Sequence, residues 1–305
     1  MAVHLNPLTS GTVTAIDGSE ILSTKSFAPG RSYRPLHIAR AAYPEAYHAL
    51  LSWLRGESDG ELPSLEADFW TAATFAGLFV SKRELASTPS GARPELGDGH
   101  GVAAALCPEV DDFLAGDPVL PELAPSLAAD LAARGMAELP ALLDGAGLAA
   151  VRSFYRTLAD GGWTTFDREQ TGRRVIHNDP VGRHVLCALT PLIGQLVRAP
   201  VKPSYSFAAE YRAGDELPRH TDRAQCEYTV SLFVDHRPGG EGEPCPWPLV
   251  IHALDGDVVA GQPAGGGPIF RGRELPHSRP PLGAGQTSQM LFLHYVPADF
   301  AGSLD

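Results

Sequence analysis

The chain has 305 residues, enough to bury a sizeable core as one large or two ordinary domains. Its formal charge of −12 argues against general nucleic-acid or anionic-membrane binding, since both need a basic face. A composition that is 44% hydrophobic and 20% charged, with no apolar run of about 18 residues, describes an ordinary globular chain without a transmembrane helix. The opening MAVHLNPLTSG lacks a basic stretch followed by an apolar core, so no signal peptide is read there. Cys107, Cys187, Cys226 and Cys245 form no CxxC pair, which disfavours a structural zinc site or redox motif. Free thiols in a reducing cytoplasm are the expectation.

In chain order, residues 1–35 mix Gly, Ser, Thr and Pro with β-prone pieces such as Gly11-Thr-Val-Thr-Ala-Ile16. They read as an irregular arm with at most one short strand. Ala46–Leu54 carries apolar residues at helical spacing and stops at Gly56. A second helix is expected over Ser64–Gly77 with Ser64 as its N-cap, then a short strand at Leu78–Val80 and a polar exit at Lys82–Glu84. Residues 1–85 are therefore expected to form an arm and a small, mostly helical domain, either winged-helix-like or a helical cap. The polar Gly/Pro-rich residues 86–105 read as a linker.

The second domain is expected over 106–305, in the α+β class. Its first part, 106–200, is helical support: Pro121–Arg134, Leu148–Leu158 ending at Asp160-Gly-Gly162, and Gly182–Val197, with strand-like pieces at Trp163–Phe166 and Arg174–His177. Residues 201–300 are strand and turn. Strands are predicted at Tyr205–Arg212, Glu227–Val234, Leu249–His252, Asp257–Ala260, Pro268–Phe270, Glu274–His277 and Ser288–Val296. Short strands between Gly/Pro turns point to a sandwich or jelly roll.

The chemistry-bearing stretch is Tyr211-Arg-Ala-Gly-Asp-Glu-Leu-Pro-Arg-His-Thr-Asp-Arg223, answered by Pro276-His-Ser-Arg279. His220 and Asp222 sit two apart, so on a strand both leave the same face, at what reads as a strand start. His277 follows after enough chain to return on another strand. Two imidazoles and one carboxylate leave three positions of an ion open, the donor set of a non-haem Fe(II) facial triad. An HxD pair alone is weak, and a second one stands at His177-Asn-Asp179.

The segments PSYSFAAEYRAGDELPRHTDRAQCEYTVSLFVD, PWPLVI, GDVV, FRGRELPHSR and QMLFLHYV resemble the catalytic half of Fe(II)/2-oxoglutarate dioxygenases of the prolyl-hydroxylase-like group. The resemblance implies a double-stranded β-helix with His220, Asp222 and His277 as iron ligands. It also implies use of 2-oxoglutarate and O2, with succinate and CO2 released as a substrate C–H is oxidised. Family halogenases lack the carboxylate that Asp222 supplies, so hydroxylation is the implied outcome. One departure concerns 2-oxoglutarate's distal carboxylate: the family's cation some ten positions after the last ligand is missing from Gly285-Gln-Thr-Ser-Gln289. Arg279 is the first candidate to replace it and Arg223 the second, with Tyr205, Tyr211 or Ser288 as hydroxyl donors. The expected substrate is a small molecule, amino acid or peptide. The alternatives are a non-catalytic metal- or peptide-binding jelly roll, or a cupin-type metalloenzyme without 2-oxoglutarate. The first 85 residues also faintly resemble modules that escort precursor peptides to tailoring enzymes.

Overall fold

The computed structural model describes residues 3–60, 62, 65, 67–118, 120–167, 172–253 and 256–304. It comprises two compact units, one of Met1–Ala115 with Arg156–Thr165, the other of Gly116–Tyr155 with Phe166–Asp305.

The first unit is built on strands. Its elements are β1 (Val3–Leu5), β2 (Thr9–Ile16), β3 (Ser19–Ser26), β4 (Leu36–Ala39), α1 (Pro44–Leu54), α2 (Ala67–Phe75), β5 (Phe79–Ser81), α3 (Lys82–Ala86), β6 (Glu95–Leu96), α4 (His100–Leu106) and α5 (Asp111–Ala115). The sheet order is β4-β3-β2-β6, with β1 and β5 as a separate pair. Leu22 and Ile38 of the sheet share one apolar cluster with Tyr47, Leu50 and Trp53 of α1 and Phe69 of α2. This corrects two expectations. The unit is mixed rather than mostly helical, because the supposed arm is a hairpin of two eight-residue strands. Asp17 and Gly18 both have positive φ, the two-residue turn whose twist suits paired strands, and Asp-Gly is its sequence signal. Nor is 86–105 a plain linker: β6 pairs in parallel with β2, and α4 lies within the same unit. The expected polar exit is helical too, since Ser81 and Glu84 cap α3 reciprocally. The Ser64 cap falls outside the described residues.

The second unit contains α6 (Pro125–Arg134), β7 (Met136–Leu139), α7 (Gly145–Asp160, whose last turn belongs to the first unit), β8 (Thr165–Phe166), β9 (Arg174–His177) and α8 (Pro180–Val197). Then come β10 (Val201–Arg212), β11 (Leu217–His220), β12 (Tyr228–Arg237), β13 (Leu249–Ala253), β14 (Gly256–Ala260), β15 (Gly267–Phe270), β16 (His277–Arg279) and β17 (Thr287–Pro297). These eight strands divide between two sheets, ordered β7-β15-β12-β17-β10-β9-β8 and β11-β16-β13-β14. All neighbouring strands within the eight pair antiparallel, and apart from the β13–β14 hairpin successive strands cross between sheets in the double Greek-key order of a jelly roll. The short strands β7 and β11 were not read from sequence. The last ligand strand begins at His277 rather than Glu274, because Arg271–Leu275 closes as a turn. No helix among the described residues is long and apolar enough to cross a membrane.

The second HxD pair is structural. Asp179 is fully buried, caps α8 through the Gly182 N–H (2.9 Å) and accepts from the Tyr155 hydroxyl (3.1 Å). Asp179→Ala removes a cap and strands a buried hydroxyl, so it is expected to cost about 2 kcal/mol of stability. Urea denaturation followed by circular dichroism measures this, and an unchanged midpoint contradicts it.

Candidate active site

Three side chains converge where the two sheets face each other. His220 ends β11, His277 opens β16, and the two are register partners. Asp222 stands two residues past the end of β11, not on it, so the pair lies at a strand end rather than a strand start. What turns its carboxylate back is a loop contact: the Asp222 N–H donates to the Gly272 carbonyl (2.8 Å). Gly272 is required there, since a Cβ would overlap Asp222 Oδ2. Asp222 Oδ1 then lies 3.7 Å from His220 Nε2 and 3.6 Å from His277 Nε2. The three ligand atoms lie within 4.8 Å of one another.

The tautomers follow from what the other ring nitrogens touch. His220 Nδ1 is 2.8 Å from the Pro218 carbonyl and His277 Nδ1 is 3.1 Å from the Leu275 carbonyl. A carbonyl only accepts, so both Nδ1 atoms carry a proton, and in the neutral rings both Nε2 atoms present a lone pair. Burial holds His277 below the usual imidazole range, the Asp222 charge opposing. Two lone pairs and a carboxylate oxygen facing one another, oriented by backbone acceptors, suit a divalent cation. Asp222's second oxygen accepts from Thr229 Oγ1 (2.6 Å), which leaves Oδ1 facing the two Nε2 atoms. Outside the barrel, His252 bridges Ser278 (2.9 Å) and Asp257 (2.7 Å), tying β16 to β13 and β14.

Arg279 is two residues beyond His277 on the same inward face, about 7 Å along the strand. It is 2% exposed and its partners among the described residues are neutral. Nη1 donates to the Trp247 carbonyl (2.7 Å) and Nη2 to Gln262 Oε1 (2.6 Å), while Nε has no hydrogen-bond partner among the described residues. The guanidinium also stacks over the Trp247 ring. Its burial excludes a surface ion pair. Ser288 Oγ is buried with no nitrogen or oxygen partner among the described residues, its neighbour being the Cys245 thiol. Tyr211 packs on Trp247 beside Arg279, but its hydroxyl already receives a hydrogen bond from Arg173 (2.7 Å). Arg223 is exposed.

Tyr205 belongs to the metal end instead. Its ring lies between His177 and His294, at 4.7 and 4.4 Å, and its hydroxyl is 2.9 Å from Cys226 Sγ. Burial pushes the Cys226 thiol up to about 12 and raises the Tyr205 phenol further above its usual range. His294 reaches Thr229 Oγ1 (3.0 Å), and burial lowers its pKa to about 4. Asp222, Cys226 and His294 thus make a second group with ligand atoms within 4.8 Å. Thr229, Gly272, Gln262 and His294 were not picked out from sequence. Only His294 carried a signal, since alternation along β17 turns it inward with Met290 and Phe292.

No protein-family model matches the sequence, and no curated protein does. Among solved structures, a prolyl-4-hydroxylase from Pseudomonas putida is similar at a TM-score of 0.47 and 19% identity, over 55% of this chain and 96% of that one. AviO1 from Streptomyces viridochromogenes Tue57 is similar at 0.45 and 19% identity, over 58% and 96%. HygX from Streptomyces hygroscopicus, solved with nickel, 2-oxoglutarate and hygromycin B, is similar at 0.46 and 10% identity, over 58% and 89%.

Proposed function

We propose that the chain is an Fe(II)- and 2-oxoglutarate-dependent oxygenase, most simply a hydroxylase acting on a C–H of an amino acid, peptide or natural product. The observation that carries this reading is the pairing of two unmet demands on β16. At His277 three electron-pair donors face one another, and at Arg279 a buried cation has only neutral partners. A molecule that chelates a metal at one end and ends in a carboxylate at the other meets both. In this reading His220, Asp222 and His277 hold the iron, and Thr229 and Gly272 keep the Asp222 carboxylate aimed. Arg279 takes the distal carboxylate by charge-assisted hydrogen bonds, with Ser288 within the same pocket. The bound iron with 2-oxoglutarate supplies the oxidising chemistry, and the protein positions the substrate and excludes water. Half-buried His177, Phe207 and Phe292 on the inner face of the larger sheet support a substrate with an apolar face.

Anaerobic Fe(II) is expected to bind one per chain, and 2-oxoglutarate to add a visible absorption band. Both are expected to be lost in His220→Ala and Asp222→Ala, along with succinate formation in air. Failure of the intact protein to bind iron, or an unchanged spectrum on adding 2-oxoglutarate, contradicts the proposal.

Arg279→Leu is expected to raise the KM for 2-oxoglutarate about ten- to hundredfold, the worth of a charged hydrogen bond, while iron binding persists. Arg223→Leu is expected to leave that KM within about twofold, as befits an exposed side chain. The opposite ranking in succinate assays moves the anchor to Arg223.

A further inference from the structure

Beside the triad the structure holds a second oxidisable pair. The β10–β17 register shifts between Pro203 and Ser206, and this irregularity falls on Tyr205. Bulges re-aim side chains, and here the Tyr205 ring is held between the imidazoles of His177 and His294. Cys226 is 1% exposed, and its backbone N–H closes a turn onto Arg223 (3.0 Å), which fixes the thiol after the ligand Asp222. Its Sγ sits 2.9 Å from the Tyr205 hydroxyl and within 4.8 Å of ligand atoms of Asp222 and His294. The thiol is therefore within reach both of a phenol ring and of any ion at Asp222.

We propose that Cys226 and Tyr205 become joined by a thioether bond, formed by the chain's own metal site. Sγ bonds to the ring carbon ortho to the hydroxyl, two bonds from the contacting oxygen. The S–H and that C–H each lose a hydrogen atom, which is a two-electron oxidation of the pair. The electrons and protons pass to O2, with 2-oxoglutarate as the second reductant. One O2, one 2-oxoglutarate and the two hydrogens give succinate, CO2 and one water, and every atom is accounted for. The proposal rests on the oxygenase reading for its oxidant.

The bond has a consequence for metal selection. Asp222 belongs to two candidate ligand groups, one with His220 and His277 and one with Cys226 and His294. A free thiol suits soft ions such as zinc or Cu(I), which would draw Asp222 away from the triad. A thioether cannot ionise and is a poor ligand for Fe(II). Forming it commits the carboxylate to the imidazole pair, and it locks the Tyr205 ring into the wall of the site.

The test uses the full-length protein, produced under iron limitation and purified without oxygen. Fe(II), 2-oxoglutarate and air are then added, and intact mass, peptide mass and titratable thiols are followed together with succinate. The expected product is lighter by two hydrogen atoms, yields one joined peptide pair containing Cys226 and Tyr205, and shows three thiols where the four free cysteines were. Tyr205→Phe and Cys226→Ser, each confirmed as folded by circular dichroism, are expected to show no such loss. An unchanged mass overturns the thioether, as does a gain of one oxygen on Tyr205 or Cys226. Succinate separates the two ideas: if it forms while the mass stays constant, the thioether falls and the oxygenase stands. If neither appears, both fall.

Discussion

The candidate site depends on two hydrogen bonds that lie away from where its three side chains meet. Pro218 and Leu275 offer their carbonyls to Nδ1 of His220 and His277, and each carbonyl takes the ring's one proton. In the neutral rings the remaining nitrogens are lone pairs aimed at a carboxylate oxygen. That arrangement is repulsive by itself and becomes favourable with a cation in the middle. Each carbonyl lies two residues before its histidine, so the turn leading into each ligand sets that ligand's chemistry. The rest of the barrel serves this convergence: β11 and β16 pair in register, and the Gly272 carbonyl returns the carboxylate that the strand end releases.

A second constraint sits one strand repeat away. A guanidinium buried to the extent of Arg279 loses several kcal/mol of hydration, and neutral acceptors restore part of it. Burial pulls its pKa down, which is the same cost expressed as a proton equilibrium. An anionic ligand group would replace the missing counter-charge. Because alternation puts His277 and Arg279 on one face, a single three-residue strand carries both the proposed last metal ligand and the proposed anchor.

Much of this was legible in sequence. The trio His220, Asp222 and His277 could be named from residue type and spacing, and most long strands of the jelly roll from alternation between Gly/Pro turns. What escaped reading was set by tertiary contacts. Asp222 leaves the strand, so the same-face argument does not describe how the pair comes together. Gly272 and Thr229 act only because a distant loop and strand meet there. The Thr/Ser-rich hairpin of the first unit offered little hydrophobic alternation, and its Asp17-Gly18 turn was passed over. The contact of Cys226 with Tyr205 could not be read, because it depends on an irregularity in β10 that no local pattern encodes.

The two ligand groups that share Asp222 make different promises to a metal. One supplies two imidazoles and no sulfur, the other one imidazole and a thiol. Iron X-ray absorption of the anaerobic Fe(II)-loaded protein distinguishes them directly. The account predicts an all-nitrogen-and-oxygen shell with two imidazole scatterers. A sulfur scatterer, or a single imidazole, would contradict it.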